Sequence, residues 1–390
     1  MTELRIAFLM PATSPRPIGA AKVVYQYADR LAQRGHHVSV IHPIENLLES
    51  VRTRFDLDPS LLVGPDAPQD AADAQAEEVA PPSVTDPHPW YRSHPQVRNL
   101  IVPDLSEGSL SGPFDVVVGA NQRVLAPMES YSDQVGLRLY FLQDYESYLL
   151  GDDEHRMSVR LSLDIPWPII GTSHAIADLV RSATGRKCHV VPCGIDPSVF
   201  RMTVPVDSDR RTLIGFPART EKTKRTMDAV GALELVRAQI PSRFDYWCFG
   251  YERLRAIPDW ITQHVACDDA QLCELYNQSR VFIVPSEFEG FGLPGAEAMA
   301  CGAALVSTRN GGVETYATDR QTAVLCQPRD LTGLASALMD FLENDDFRQR
   351  VAESGVEAMS GLSLSAAAAA FENAILIEFA AANRHQDRSS

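Results

Sequence analysis

The chain has 390 residues, enough for two domains that each bury their own core. Its content of 45% apolar and 22% charged residues is that of an ordinary soluble globular protein. A net charge of −16 argues against nucleic acid as the main partner, because a phosphate backbone needs a basic face; a small anion held by a local Arg/Lys pair stays admissible.

Seven cysteines (Cys188, Cys193, Cys248, Cys267, Cys273, Cys301 and Cys326) are odd in number and form no CxxC pair, which predicts reduced thiols in a cytoplasmic protein. The run Leu4–Met10 is too short, and too soon followed by Pro11, for a secretory signal. No apolar run reads as long enough to span a membrane, so any membrane contact is expected to be peripheral.

In chain order, Leu4–Met10 reads as a buried strand, Gly19–Arg34 as a helix with Val23, Val24, Tyr27 and Leu31 at helical spacing, and His37–Ile41 as a second strand. This βαβ opening predicts a doubly wound parallel sheet. Residues 56–89 are rich in Asp, Glu, Ala and Pro, with no Lys or Arg between Arg54 and Arg92, and predict a mobile acidic surface insertion. Strands resume at Asn99–Val102, Asp115–Gly119, Arg138–Leu142 and Ile169–Thr172, followed by a helix His174–Thr184 and a strand His189–Pro192. Residues 197–210 read as a linker, dividing a first domain, 1–196, from a second, 211–362.

The second domain opens with a strand Thr212–Pro217, then a helix Thr226–Ala238, strands Phe244–Gly250 and Ile261–Val265, and a helix Asp269–Gln278. The apolar run Val281–Pro285 predicts a strand buried on both faces. A glycine-rich turn, Ser286–Gly292, leads to Pro294 at a helix start, the helix Gly295–Cys301, and Gly302 as its terminator. Next come strands Ala303–Thr308 and Ala323–Cys326, a helix Leu331–Glu343 and an alanine-rich helix Ser363–Ala382; the tail 363–390 is expected to cross back to the first domain. The architecture is α/β: two Rossmann-like domains facing each other across a cleft, the default ligand site of open α/β sheets.

Several constellations carry chemistry. Gly290, Phe291, Gly292, Leu293, Pro294 and Gly295 spell GxGxxG, but four residues separate the strand from the first glycine and Pro294 replaces a residue that would approach a pyrophosphate, so dinucleotide binding is disfavoured. Glu289 and Glu297 flank the same helix start, a place that favours anions. Arg219 and Lys224 follow a strand end and could clamp a diphosphate; a solvated basic loop is the alternative. Asp56-Leu57-Asp58 is a literal DxD in the acidic insertion and reads as surface charge. No zinc or calcium motif is present. Ser173 reads as a helix N-cap, beside His174, and Gln143-Asp144-Tyr145-Glu146 gathers polar groups at a strand's carboxyl end.

The segment PSEFEGFGLPGAEAMACGAALVST followed by GGVET closely resembles the signature of glycosyltransferase family 4, retaining enzymes of GT-B fold, with the two glutamates at Glu289 and Glu297. Ile18–Val24 (IGAAKVV) is similar to that family's N-terminal double-glycine loop, Val190–Asp196 (VVPCGID) to its stretch before the linker, and Arg219 with Lys224 to its Arg-x4-Lys pair. The resemblance implies a sugar moved from a nucleoside-diphosphate sugar to an acceptor hydroxyl, with no metal and no cofactor beyond that co-substrate. It implies that Arg219 and Lys224 bind the diphosphate, Glu297 the ribose, Glu289 the sugar hydroxyls, and Gly290, Phe291, Gly292 and Leu293 the sugar and phosphate. Gly19 would let the first loop approach the phosphate, and Gln143, Asp144 and His174 are candidate sugar or acceptor contacts. The chain departs from the pattern at Ile18 and Arg225, where the family has glycine, at Cys193, where it has asparagine, and at Gln143 or Asp144, where it often has histidine. A nucleotide-sugar epimerase and a catalytically silent accessory protein are the alternatives.

Overall fold

The computed structural model describes residues 2–13, 17–44, 87–145, 153–240 and 244–389. Most of the acidic insertion, with Asp56 and Asp58, and also Glu146, lie outside the described residues. The end of that insertion departs from the expected mobile surface: His88 is buried, its Nε2 lies 3.0 Å from Asn99 Oδ1, and its ring is 4.1 Å from Tyr25.

The chain divides into two compact units, Met1–Phe141 with His385–Ser390, and Leu142–Arg384. In the first, β1 (Arg5–Leu9), β2 (His37–Pro43), β3 (Arg98–Val102), β4 (Val116–Gly119) and β5 (Leu137–Leu142) run parallel in the order β3-β2-β1-β4-β5. The helix α1 (Gly19–Gln33) joins β1 to β2 and buries Val23, Val24, Tyr27 and Leu31, as their spacing predicts. A short helix, α2 (Leu125–Glu129), follows β4.

The second unit holds α3 (Asp153–Asp164), the parallel pair β6 (Ile169–Gly171) and β7 (Cys188–Val190), and α4 (His174–Thr184) between them. Its main sheet is six parallel strands in the order β10-β9-β8-β11-β12-β13. These are β8 (Leu213–Pro217), β9 (Asp245–Gly250), β10 (Ile261–Val265), β11 (Ser279–Val284), β12 (Ala304–Thr308) and β13 (Val324–Cys326). Helices α5 (Thr226–Gln239), α6 (Asp269–Gln278), α7 (Leu293–Ala300), α8 (Leu331–Glu343), α9 (Asp345–Gly361) and, as far as Arg384, α10 (Leu364–Ser389) complete it. Ile214, Phe216, Val281, Ile283 and Val306 from the strands meet Leu233, Leu338 and Phe341 from the helices in one core. Each such side chain contributes about 1.5–3 kcal/mol by leaving water.

The compact units part after Phe141, and the expected linker, 197–210, lies within the second of them. The segment before that linker is sewn to α10: Ile195 N donates to Leu362 O (2.9 Å), Leu364 N to Ile195 O (2.8 Å), and His189 Nε2 lies 2.7 Å from Glu378 Oε1. A Cβ at Gly194 would sit 2.4 Å from Leu364 Cα, so only glycine lets the two backbones meet here.

One helix was not expected, and one reading needs correction. Helix α9 follows α8 with no strand between; the Asn344 side chain caps it by accepting from Phe347 N at 3.0 Å, and Asp345 and Asp346 occupy its first turn. The stretch Leu364–Arg384, with mean hydropathy 1.4, is long and apolar enough by length and composition to cross a membrane. Leucine, isoleucine and phenylalanine raise that mean as much as the alanines do, and one stripe of it, with Ala368, Phe371 and Ile375, is buried in the protein.

Candidate functional site

The central strand β11 delivers the chain to the turn 285–292. Gly292 closes that turn with φ +89°, a left-handed conformation glycine adopts without a Cβ penalty. Helix α7 starts at once, with Leu293 as its first residue and Pro294 second, where a missing N–H costs nothing. The turn is held from below by Tyr316, whose hydroxyl donates to Gly292 O at 2.9 Å and whose ring centroid lies 4.9 Å from that of Phe291. Tyr316 is buried, and burial pushes its ionisation well up, so it stays a donor. A Cβ at Gly295 would come within 2.6 Å of that hydroxyl, and one at Gly312 within 2.6 Å of Phe291 O.

Glu297 is on α7 and only 6% exposed. Tyr276, at the end of α6, donates to Glu297 Oε2 at 3.4 Å. The Tyr276 ring packs among Trp247, Phe249 and Phe282, with centroids 5.0–6.2 Å away. A Cβ at Gly215 would strike Trp247 at 2.3 Å, so β8 admits the indole only by lacking a side chain there.

The basic pair follows β8. The ammonium of Lys224 lies 3.4 Å from Glu289 Oε2, with the two side chains 20% and 18% exposed, and 3.5 Å from Phe288 O. Ser286 Oγ donates to the other carboxylate oxygen at 2.7 Å, and Glu289 N donates to Asn310 O at 2.9 Å. Glu287 N donates to Thr223 O at 2.6 Å, tying the basic loop to the turn. Arg219 Nη1 donates to Ala218 O (3.0 Å) and Phe249 O (3.1 Å), and the guanidinium lies 4.4 Å from the Tyr251 ring centre. Thr226 closes this loop by accepting from Arg219 N (2.9 Å) and donating to Arg219 O (2.7 Å). Arg219 is also close enough to Tyr276 to offset part of the upward push that burial and Glu297 exert on that phenol.

Arg225, in place of the family's glycine, adopts φ +50°. The strain of a left-handed residue, about 1 kcal/mol, is offset by a two-pronged pair in which Arg225 donates to both oxygens of Asp228 at 2.9 Å.

Gln143 arrives at the same turn: a Cβ on Gly290 would lie 1.7 Å from Gln143 O. Thr172 Oγ1 sits 3.3 Å from Gln143 O and 3.1 Å from Gly290 O. Asp144 is exposed beside it. Tyr145 is buried, its ring centroid 6.2 Å from that of Phe288; burial, then Asp144, Glu314 and Glu289, push its ionisation up to about 12. His174 is exposed at the first position of α4, its N–H 3.4 Å from Thr315 Oγ1, and Ser173 caps that helix by accepting from Ile176 N at 3.3 Å. Gly19 is the exposed first residue of α1, in the other unit, and Ile18 before it is 48% exposed.

Within one unit, therefore, Arg219, Lys224, Glu289, Gly290–Leu293, Glu297 and Gln143 surround the β8 and β11 ends and the start of α7. Tyr276, Tyr316 and Thr172 join them and were not singled out from the sequence. The only signal for Tyr276 is its i, i+4 spacing from Leu272 on a capped helix. Among the described residues, no group of three or more His, Cys, Asp or Glu is arranged to hold a metal ion.

Solved structures share this architecture along their whole length. Sucrose-phosphate synthase from Thermosynechococcus elongatus superposes with a TM-score of 0.72 at 17% identity, covering 97% of this chain and 100% of that one. Anabaena HepE, solved with UDP and glucose, does so with a TM-score of 0.69 at 15% identity over 96% and 99%. The fold is GT-B. Within this GT-B chain, residues 255–357 match the family model of glycosyl transferases group 1. That match takes in Glu289 and Glu297 but not Arg219 or Lys224. The D-inositol 3-phosphate glycosyltransferase of Xylanimonas cellulosilytica is 30% identical over 221 residues, 49% of this chain and 52% of its own. The chain thus spans about half the length of that curated relative.

Proposed function

We propose that the protein transfers a sugar from a nucleoside-diphosphate sugar to an acceptor hydroxyl, with retention of configuration and without a metal ion. The observation that carries this reading is the Lys224–Glu289 pair, 3.4 Å apart on two loops that converge beside the start of α7. It joins a cation suited to phosphate and a carboxylate suited to sugar hydroxyls at one point. The group 1 match around Glu289 and the GT-B fold support the same assignment.

In this reading, Lys224 turns from Glu289 to the donor phosphate, and the released carboxylate takes sugar hydroxyls. Arg219 contributes its Nε and Nη2, which make no hydrogen bond among the described residues. Glu297, steadied by Tyr276, receives the ribose hydroxyls. Cleaving the sugar–phosphate bond builds negative charge on the diphosphate while the sugar becomes oxocarbenium-like, and two fixed cations stabilise that separation more than the ground state. Attack from the leaving-group face lets a phosphate oxygen take the acceptor's proton, so no covalent enzyme intermediate forms. Residues 1–196 would bind the acceptor.

The test is nucleotide release from UDP-glucose and a panel of other nucleotide sugars, in EDTA, with UDP affinity measured by calorimetry. Turnover in EDTA, and loss of UDP affinity in the Arg219→Ala/Lys224→Ala double variant, are expected. A strict Mg²⁺ requirement, or undiminished UDP binding by the double variant, overturns the reading.

A further inference from the structure

We propose that Thr172 is a positioning residue: its hydroxyl pins the Gln143 strand end to the Gly290 turn and thereby fixes the carboxylate of Glu289. This rests on the function proposed above. The two carbonyls it faces belong to segments far apart in the chain, with 118 positions between Thr172 and Gly290. Thr172 is 1% exposed, so no water replaces it from the surface. A threonine hydroxyl has one proton, and here two acceptors at 3.3 and 3.1 Å share it. It stands between two carbonyl dipoles that face the same hydroxyl. The approach is close enough that any side chain on residue 290 would overlap the Gln143 carbonyl.

The consequence reaches the site through one peptide. Glu289 precedes Gly290, and its own N–H is held by Asn310 O. The main chain that carries Glu289 is therefore held on both sides, by Asn310 and by the Thr172 contact, while Ser286 and Lys224 grip the carboxylate itself. Threonine to valine keeps the shape and removes the proton, so both carbonyls lose this donor and the link between the two segments. Arg219, Glu297 and Tyr276 make none of these contacts and Lys224 reaches the turn only through Phe288 O and Glu289, so nucleotide affinity is expected to change far less than sugar transfer.

The experiment compares wild type, Thr172→Val and Thr172→Ser by hydrogen–deuterium exchange, UDP calorimetry and donor turnover. In Thr172→Val the peptide covering 286–293 is expected to exchange at least fivefold faster, with peptides from β8 and β9 unchanged. Its kcat is expected to fall about tenfold with the UDP Kd within twofold, and Thr172→Ser to restore both. Unchanged exchange at 286–293, or equal acceleration throughout the unit, overturns the proposal. So does a Thr172→Ser variant that behaves like Thr172→Val. If the wild type releases no nucleotide from any donor, the functional reading fails, and the exchange data alone decide the role of Thr172.

Discussion

Arg211 is 1% exposed, and each of its five N–H groups has its own backbone carbonyl. Nε donates to Pro205 O (3.0 Å), Nη1 to Tyr276 O (3.3 Å) and Ser279 O (2.8 Å), and Nη2 to Val204 O (2.6 Å) and Cys301 O (2.7 Å). Two of those carbonyls close α6 and α7, the helices that carry Tyr276 and Glu297. Burial, and then Arg348, push the guanidinium down to about 10, so it remains charged at neutral pH. Arg211→Met keeps the apolar stem and removes all five donors. Charge-assisted bonds are worth about 1.5–3 kcal/mol each, but the deletion also relieves the cost of burying a cation. Five carbonyls lose a donor at about 1–3 kcal/mol each, and relief of the buried charge offsets part of this, so the net loss should be about 3–5 kcal/mol. At about 2–4 °C per kcal/mol for a unit of this size, the melting temperature should drop by ~6–20 °C. Urea unfolding followed by circular dichroism measures it. A loss below about 1 kcal/mol would show that the carbonyls find other partners, and would refute the idea that this guanidinium holds the two helix ends.

Arg225→Gly relieves a left-handed backbone but loses the pair with Asp228, so its stability should stay within about 1 kcal/mol of wild type; Asp228→Ala, which keeps the strain, should be the less stable of the two in the same urea series. Asp115 accepts from the Arg5 side chain at 2.7 and 3.1 Å, which holds its carboxyl below the usual 3.8. The stability it contributes is complete above that value and is lost as pH falls through the lowered one, so Asp115→Asn should flatten the acid limb of the stability curve; an unaltered slope below pH 4 counts against the linkage. Glu289→Gln keeps the turn's shape while removing its charge, and should reduce donor turnover at least tenfold with UDP affinity little changed; a parental rate contradicts the role given to Glu289.

Local rules made much of the fold readable. Helices His174–Thr184, Asp269–Gln278 and Leu331–Glu343 begin where Ser173, Asp268 and Asp330 offer a side-chain oxygen to the first-turn amides. The helix Asp345–Gly361 escaped because charge interrupts its apolar spacing, although Asn344 and two aspartates mark its start. The candidate site was readable where its residues adjoin one another, as from Glu289 to Glu297. Tyr276, Tyr316 and Thr172 were not, because their partners lie 21, 24 and 118 positions away and no local pattern announces such contacts. Composition marks a linker at 197–210, while the bonds of Ile195 and His189 to Leu362, Leu364 and Glu378 join residues too far apart in the chain for a local pattern to announce.

The close seat of Gly290 has a practical corollary for anyone redesigning this protein. A library that randomises the turn should leave that codon alone, because every alternative collides with a carbonyl. Diversity belongs instead at Phe288, a half-buried ring edge-on to Tyr145, where size and polarity can change without disturbing the main chain.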